Sequence, residues 1–344
     1  MPAQPKPELK SIRINNRRYL GNKYKLLPFI TSVVIENCTD VNSVADIFAG
    51  TGAVASAFAD RQIITNDNLY SNAICHLAWF SPQPYSREKI EQLIVYYNGT
   101  NVETGNYMCQ NFADTFFSRA DCRKIGFIRE DIRKRFHSKE INGRELALLV
   151  TSLLYAADKI ANTCGHYDAF RQGAKFEKPL ELSVPLPNET PHARNACYNE
   201  DANGLVKRVS ADLVYLDPPY NSRQYCDAYH LLENIARWEK PEVQGVARKM
   251  GRTNLKSDYC TNKAPAAFAN LVHNINARYI LLSYSNMADK GDGRSNAKIT
   301  DGDIKRVLSM KGRVEIFTQK YKPFSSGKSD IAGHEERLFL CTCL

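Results

Sequence analysis

Seven short apolar segments, separated by stretches with helical spacing, constrain the fold of this chain more than any other feature. They lie at residues 43–48, 63–66, 195–198, 213–216, 279–283, 314–318 and 337–341. Each has the length of a buried strand and is bounded by Gly, Asp, Asn or Ser. Strands that alternate with helices in this way predict an α/β fold, in which helices cover a doubly wound sheet of seven strands.

The last two segments are expected to form an antiparallel hairpin at one edge of that sheet. Residues 322–333 between them contain Pro, Gly and Ser and offer too little helix-forming sequence for a crossover. A parallel pair would need such a crossover, which is usually a helix. A C-terminal antiparallel hairpin is therefore predicted.

A long stretch of different character, residues 84–190, separates the second and third predicted strands. Its clearest element is a helix at residues 142–161, where apolar side chains recur at a spacing of three and four. Asn142 and Glu145 have the spacing of a capping box at its start. We expect residues 84–190 to form a helical insert with a small core of its own, because a single core stops growing at about 250–300 residues.

The net charge of +9 is unevenly spread along the chain. Residues 1–25 hold seven Lys and Arg against one acid, and residues 119–139 hold eight against three. Basic surfaces of this kind attract phosphate backbones, and Arg133, Lys134 and Arg135 are the candidate contacts. A solvated helix face would carry the same charges, so the charge pattern alone leaves both interpretations open.

Several classes of protein are disfavoured by what the sequence lacks. No apolar run reaches the roughly 18 residues of a membrane span, and residues 1–10 have no apolar segment of the kind found in signal peptides. The ten cysteines are scattered, without a Cys-x-x-Cys pair and without a His at zinc-ligand spacing. We expect a soluble, cytoplasmic protein with reduced thiols, no metal and no membrane partner.

The segment with the clearest chemical meaning is residues 212–220, an apolar strand that ends in Asp217, Pro218, Pro219 and Tyr220. The prolines fix the backbone and lack N–H donors, so acceptors project from the carboxyl end of the strand. The Asp217 carboxylate and the Pro218 carbonyl can together hold both hydrogens of an exocyclic amine. Tyr220 offers a flat face for a base rotated out of a duplex. A rigid turn is the alternative interpretation.

The sequence from Asp217 to Tyr220 resembles the signature of amino-methyltransferases, and two further segments narrow the resemblance to the Dam-like DNA adenine-N6 methyltransferase family. Residues 18–27, RYLGNKYKLL, are similar to the N-terminal cofactor motif of that family. Residues 46–52, DIFAGTG, are similar to its first strand and glycine loop, although the family often has a further glycine where this chain has Thr51. The resemblance covers nearly the whole chain.

This resemblance implies a fold, a reaction and a division into domains. The fold is a Rossmann-like methyltransferase sheet, and the reaction is methyl transfer from S-adenosyl-L-methionine to the N6 amine of a flipped adenine in double-stranded DNA. Residues 1–83 and 191–344 would form the catalytic domain. Residues 84–190 would form the target-recognition domain.

The resemblance also assigns cofactor contacts in the first part of the chain. By position in the N-terminal motif these are Tyr19 and Lys23. In the glycine motif the expected contacts are Phe48, Gly50 and Gly52. The two glycines let the chain turn sharply from strand to helix and let the cofactor approach the backbone. A glycine pair after a strand is often only a tight turn, so this assignment depends on the neighbouring motifs.

Acids at the ends of later strands complete the expected cofactor site. Asp67 follows the second strand, where the ribose diol would lie. The third strand ends next to Glu200 and Asp201, and in similar enzymes an acid there accepts the amine of the cofactor adenine; we favour Asp201. Asp217 at the fourth strand is expected to contact both the cofactor and the target amine.

Two further segments, residues 221–225 and 229–234, resemble the modification methylases of FokI-type restriction systems. His230 lies within the second, and we expect it to be structural, because a sulfonium-bound methyl group needs no general base in contact with the nucleophile. No Pro-Cys dipeptide occurs, which excludes the covalent cysteine route of cytosine C5 methylation.

Three other functions stay open at this point: an RNA adenine-N6 methyltransferase, a DNA cytosine-N4 methyltransferase, and a catalytically inactive nucleic-acid-binding subunit. The long basic insert favours duplex DNA over RNA. Enzymes similar to this chain that modify cytosine N4 usually begin the motif with Ser in place of Asp217, and the intact motifs argue against an inactive subunit. A cognate restriction endonuclease, acting in the same system without a stable complex, is left open as a partner.

Overall fold

The structure is a computed structural model, and it describes residues 11–15, 17–163, 165–285, 298–320 and 335–344. The expectations for residues 1–10 and for the loop at 322–333 lie outside these residues. None of the helices in the described part of the chain combines the length and the hydrophobicity that crossing a bilayer would require.

Nine strands are present in the described residues. They are β1 (Ser43–Asp46), β2 (Gln62–Asn66), β3 (Ala196–Tyr198), β4 (Ser210–Leu216), β5 (Val243–Gln244), β6 (Lys249–Met250), β7 (Asn276–Ser285), β8 (Gly312–Lys320) and β9 (Glu335–Cys343). Seven of them form one sheet in the order β3-β2-β1-β4-β7-β9-β8, and β5 pairs with β6 in a separate hairpin. Each predicted strand overlaps one strand of the large sheet, which confirms the α/β prediction.

The pairing directions divide the sheet into two parts. Strands β3, β2, β1, β4 and β7 are parallel, whereas β9 runs antiparallel to both β7 and β8. The predicted C-terminal antiparallel hairpin at one edge is confirmed. Its second strand, β9, lies between β7 and β8, and β8 forms the edge.

Twelve α-helices surround the sheet in the described residues. They are α1 (Leu27–Asn37), α2 (Ala53–Ser56), α3 (Tyr70–Phe80), α4 (Arg87–Gly99), α5 (Tyr107–Phe112), α6 (Arg119–His137), α7 (Gly143–Ile160), α8 (Ala202–Leu205), α9 (Tyr225–Ala228), α10 (His230–Arg237), α11 (Ala264–Asn274) and α12 (Asp301–Ser309). Short 3-10 turns occur at Tyr24–Leu26, Thr253–Leu255 and Asp258–Cys260.

The central strands β1, β2 and β4 are largely buried on both faces, as expected for a parallel sheet. Along β4, Leu213 and Tyr215 pack into the cluster formed with α1, α3, α10 and the insert. Val214 and Leu216 point the other way and pack with α8, α11 and α12. Because successive side chains of a strand alternate between faces, one apolar run serves both cores.

The insert is helical, as predicted, but it has no separate core. Helix α7 begins with the predicted capping box, in which the Asn142 side chain accepts from the Glu145 amide at 3.0 Å and the Glu145 carboxylate accepts from the Asn142 amide at 2.9 Å. Leu149 and Leu153 of α7 belong to the same cluster as Trp79 of α3. The expectation of an independent small core is therefore wrong, because α7 buries side chains around most of its circumference and joins the insert to the sheet layer.

Candidate active site

A cavity of about 570 Å³ lies at the carboxyl ends of the parallel strands. Its walls are the segments that follow β1, β2, β3 and β4, together with the N-terminal motif. The residues predicted from the sequence that line it are Tyr19, Lys23, Phe48, Gly50, Asp67, Asp201, Asp217 and Pro219. Residues from distant parts of the chain thus meet in one place, because the carboxyl ends of parallel strands share one edge.

Gly50 is held in a tight turn that only a small residue permits. Its φ of +53° lies in the left-handed region, and an added Cβ would come within 3.3 Å of the Tyr19 ring. Its amide donates to the Asp67 carboxylate at 2.9 Å, and its carbonyl accepts from His76 Nε2 at 2.9 Å. The glycine loop is therefore fixed from both sides, with its backbone facing the cavity.

Three residues predicted for catalysis or cofactor binding do not line the cavity. Gly52 precedes α2 with a φ of +79°, and a Cβ there would meet His76 and Phe80 at 3.3 Å, so its visible role is close packing within the turn. Pro218 is buried. Tyr220 is half-buried and packs edge-on against Tyr284, with ring centroids 6.3 Å apart.

Tyr19 anchors the N-terminal motif to the helices that follow the Asp217 segment. Its ring stacks on Tyr229 with a centroid distance of 4.5 Å and on Tyr225 at 5.4 Å. The Tyr229 hydroxyl also accepts from the Leu20 amide at 2.7 Å. These contacts hold the segment over the glycine loop, where one side of the Tyr19 ring faces Gly50.

Asp67 closes the glycine loop at the end of β2. Its carboxylate accepts from the Leu69 amide at 2.8 Å in addition to Gly50. Burial raises the pKa of Asp67 to about 6, although these hydrogen bonds to the charged form act in the opposite direction. A carboxylate in this position can accept further hydrogen bonds from hydroxyl groups in the cavity.

Lys23 is buried between two carboxylates. Its Nζ lies 3.1 Å from Asp217 Oδ1 and 3.1 Å from Glu336 Oε1. Burial by itself would lower the pKa of Lys23, but the two carboxylates outweigh it and hold the pKa well above its ordinary value. Lys23 is therefore a fixed cation that joins the N-terminal motif to β4 and β9.

Asp217 follows directly after the buried strand β4. Burial raises its pKa to about 6; the Lys23 ammonium lowers it and the Glu336 carboxylate raises it. The group is thus mainly a carboxylate at neutral pH, and a strong hydrogen-bond acceptor because little water surrounds it.

At the end of β3, both candidate acids line the cavity, in different surroundings. The Asp201 side chain is exposed and accepts from the Gly204 amide at 2.9 Å, which caps α8. The Glu200 carboxylate pairs with Arg208, and its backbone is bound by the Asn66 side chain. Because Glu200 already forms an ion pair with Arg208, Asp201 stays the preferred candidate to accept the amine of the cofactor adenine.

A segment without any sequence motif forms another wall of the cavity. It runs from Asn254 to Asp258 and is fastened by the Gln224 side chain, which donates to the Ser257 carbonyl at 3.0 Å and accepts from the Ser257 amide at 2.8 Å. Tyr259 packs edge-on against Phe48 at 5.1 Å. Sequence reasoning missed these residues, since their place in the site depends on tertiary contacts alone.

Sequence reasoning also missed Asp46, although this residue begins the glycine motif at residues 46–52. It is buried at the end of β1 and lines the cavity. Its Oδ1 has no hydrogen-bond partner among the described residues. Burial raises its pKa, and the nearby carboxylates of Asp217 and Asp67 add to the rise. A buried acceptor without a partner indicates space for a donor from a bound molecule.

The candidate nucleic-acid contacts are on α6, outside the lining of the cavity. Arg133 and Lys134 are exposed. Arg135 pairs with Glu140 and with Asp131, whose Oδ2 lies 2.6 Å from its Nε. Lys134 is therefore presented to solvent, Arg133 is exposed but also donates to the Trp238 carbonyl at 3.5 Å, and Arg135 is used within the insert.

His230 is buried away from the cavity, and its Nε2 lies 2.9 Å from the Tyr167 carbonyl. Burial lowers its pKa to about 4, so the ring is neutral at physiological pH. This contact ties α10 to residue 167 and agrees with the structural role expected from the sequence.

Comparison with known proteins gives a consistent result. Residues 19–291 match the model of the D12 class N6 adenine-specific DNA methyltransferases. Modification methylase StsI of Streptococcus sanguinis is 34% identical over 330 residues, which cover 90% of this chain and 49% of the relative. Type II methyltransferase M.FokI of Planomicrobium okeanokoites is 32% identical, covering 91% and 50%. Type II methyltransferase M.NlaIII of Neisseria lactamica is 29% identical, covering 92% and 95%. The chain thus spans about half the length of the first two relatives.

Proposed function

Because this chain belongs to the D12 class of N6 adenine-specific DNA methyltransferases, we propose that it methylates the N6 amine of adenine in double-stranded DNA. The observation that carries the proposal is that Lys23, Asp217 and the glycine loop line the same cavity, with Lys23 and Asp217 in an ion pair. The methyl donor is S-adenosyl-L-methionine. The activity is the site-specific modification step of a restriction–modification system, and it takes place in the cytoplasm, where the DNA substrate is present.

The residues of the cavity fit this methyl donor. Asp67 suits the ribose hydroxyls, and Asp201 suits the adenine amine. The unpartnered Oδ1 of buried Asp46 suits the cofactor ammonium group, which is a strong donor. The backbone around Gly50 lines the cavity and would contact the rest of the cofactor. When bound, the cofactor supplies a methyl group that its sulfonium has already activated.

The protein's own part in the reaction is to hold the target amine. The lone pair of an exocyclic adenine amine is delocalised into the ring, so the amine is a poor nucleophile. The Asp217 carboxylate and the Pro218 carbonyl accept its two hydrogens and stabilise the positive charge that builds on nitrogen. Tyr220 stacks on the flipped base. The proton leaves after transfer, so no general base needs to contact the amine.

The helical insert at residues 84–190 acts as the target-recognition domain, and residues 1–83 and 191–344 as the catalytic domain. Arg133 and Lys134 are exposed on α6 and contact DNA phosphates. Arg135 supports this surface through its ion pairs with Asp131 and Glu140. A restriction endonuclease of the same specificity would act on the same sites without forming a stable complex.

The proposal is tested by incubating the full chain with the cofactor and unmethylated genomic DNA, followed by mass spectrometry of the nucleosides. We expect N6-methyladenine from the wild type and less than a few per cent of that amount from Asp217→Ala, with DNA binding retained. N4-methylcytosine as the product, or methylation of RNA in preference to DNA, would refute it. Sequencing of the product DNA identifies the recognition site in the same experiment.

A further inference from the structure

Lys23 forms an ion pair with a second carboxylate besides Asp217. Its ammonium is equidistant, at 3.1 Å, from Asp217 Oδ1 and from Glu336 Oε1. The side chains of Lys23 and Glu336 are 9% and 5% exposed, and that of Asp217 is 17% exposed. One ammonium and two carboxylates give this largely buried cluster a net charge of −1. The cluster would be neutral without Glu336, so Glu336 changes the charge around Asp217.

Glu336 is itself held in place by the sheet. It lies at the start of β9, which pairs with β7 in a register that sets Ser283 opposite Leu338. The buried Ser283 hydroxyl donates to Glu336 Oε1 at 3.0 Å. The oxygen that binds Lys23 is therefore fixed where β9 pairs with β7, the last of the parallel strands.

This arrangement matters for the acceptor at Asp217. A buried ammonium bound to that carboxylate alone would lower its basicity and so weaken it as an acceptor for another donor. A second carboxylate on the same ammonium shares this interaction and fixes the position of Nζ.

We propose that Glu336 is a positioning residue for methyl transfer: it holds Lys23 and shares its charge, so that Asp217 keeps its strength and orientation as the acceptor of the target amine. This inference rests on the proposed function and extends it to a residue that no motif indicates. Glu336 acts through Lys23 and does not touch the reacting atoms.

The electrostatic consequence has a definite sign. The titratable groups that face the Asp217 carboxyl are Lys23 from the N-terminal motif, Glu336 from β9, Asp46 from β1, Tyr215 from β4 and Tyr225 from α9. Among these, the charge of Glu336 raises the pKa of Asp217. Its removal lowers that pKa, and Asp217 then stays ionised to lower pH. The tyrosines stay neutral because burial raises their pKa values, and Asp46 is unchanged in the variants described next.

The test compares Glu336→Gln, Glu336→Asp and the wild type in steady-state methylation of duplex DNA across the acidic and neutral range. We expect Glu336→Gln to lower kcat by about tenfold, to leave the cofactor Kd within about threefold, and to move the acidic limb of kcat/KM to lower pH by roughly half a unit or more. Glu336→Asp keeps the charge, so the acidic limb of its kcat/KM profile should lie at the same pH as in the wild type even if its rate falls. Glu315→Gln on β8 removes a partly exposed charge from the same hairpin and serves as the control.

The outcomes separate the two proposals. A wild type that produces no N6-methyladenine refutes the proposed function and, with it, this inference. An active wild type together with a folded Glu336→Gln whose kcat and acidic limb are both unchanged overturns the inference alone. Should Glu336→Gln fail to fold, a displaced acidic limb in Glu336→Asp would overturn it instead.

Discussion

Asp67 has two roles at the end of β2, one in the fold and one in the proposed cofactor site. Its carboxylate closes the glycine loop through the amides of Gly50 and Leu69. The same group faces the cavity, and burial raises its pKa to about 6. Hydroxyl donors bind the ionised form, so cofactor affinity should be full above that pH and should fall as the pH drops through about 6.

Calorimetry of S-adenosyl-L-methionine binding as a function of pH checks this prediction. Asp67→Asn should weaken binding at neutral pH by about tenfold or more, since a hydrogen bond to a charged group contributes about 1.5–3 kcal/mol. It should also flatten the decline toward low pH. Asp114→Asn, which changes an exposed carboxylate outside the cavity lining, should bind like the wild type. Parallel pH curves for Asp67→Asn and the wild type would argue against the ribose assignment.

Sequence reasoning found the site residues that stand next to a strand end in a recognisable run, such as Asp217 and Gly50. It missed Glu336 and Ser257, because a residue whose role depends on a distant partner has no local signal. Glu336 is an acid at the start of a strand, which is common on protein surfaces. Only the register of β9 against β7 shows that its side chain reaches Lys23.

The segment from Asn254 to Asp258 is held by the side chains of Asn68 and Gln224 and by the buried side chain of Leu255. Gln224 makes two hydrogen bonds to Ser257, one to its carbonyl and one to its amide. Gln224→Ala should loosen this wall of the cavity, weaken cofactor binding by roughly threefold to tenfold, and speed hydrogen exchange at the Ser257 amide.

Mass-spectrometric hydrogen exchange and calorimetry on the same samples check this prediction. Gln244→Ala removes an exposed glutamine from β5 and is the matched control. Faster exchange with unchanged affinity would mean that the segment borders the cavity without contributing to binding.

Helix α6 shows that a basic stretch can serve two purposes. Buried Arg129 donates to the carbonyls of Ile235 and Ala236 at 3.0 and 2.9 Å and thereby ties the insert to α10. Arg133 and Lys134 are exposed on the same helix. Part of the charge that the sequence attributes to DNA binding is thus structural.

Replacing Arg133 and Lys134 by Ala should weaken DNA binding and reduce the log–log salt dependence by about 0.9 for each phosphate that the protein no longer neutralises. Arg135 is left intact because its ion pairs also support the insert. Lys305→Ala, on a helix that covers the opposite face of the sheet, is the control. An unchanged log–log salt slope with cofactor binding intact would indicate that residues 13–25 or 237–263 form the phosphate-binding surface instead.

At the scale of the whole molecule, the insert and the sheet layer share one hydrophobic core. Leu153 of α7 is fully buried in the cluster that also contains Trp79 and Val44. Leu153→Ala should therefore destabilise the entire protein by about 2–5 kcal/mol, because less apolar surface is buried and a cavity remains.

Denaturant unfolding followed by tryptophan fluorescence and by circular dichroism checks this prediction. The two curves should coincide in both the wild type and the variant. Val95→Ala, a 71% exposed position on α4, should change stability by no more than about 0.5 kcal/mol. Two separate transitions would indicate that the insert unfolds independently.

The architecture was predictable because its signals are repetitive. Seven apolar runs with polar ends indicate the strands, and the short connection between the last two indicates the hairpin. The shared core was not predictable, because the spacing in α7 reveals one apolar stripe. The burial of Thr151, Ser152 and Ala156 on its other sides depends on how α3, α6 and the returning chain pack around it.

The contact between Lys23 and Glu336 also bears on how the protein is made. The ribosome synthesises Lys23 and Asp217 well before Glu336, so a nascent chain holds only one of the two carboxylates that bind Lys23 until β9 has been made. Contacts between residues so far apart in sequence are also slow to form during folding. A partly synthesised or truncated chain that lacks β9 would therefore leave Lys23 paired with Asp217 alone, and we expect full methylation activity only after β9 has been synthesised.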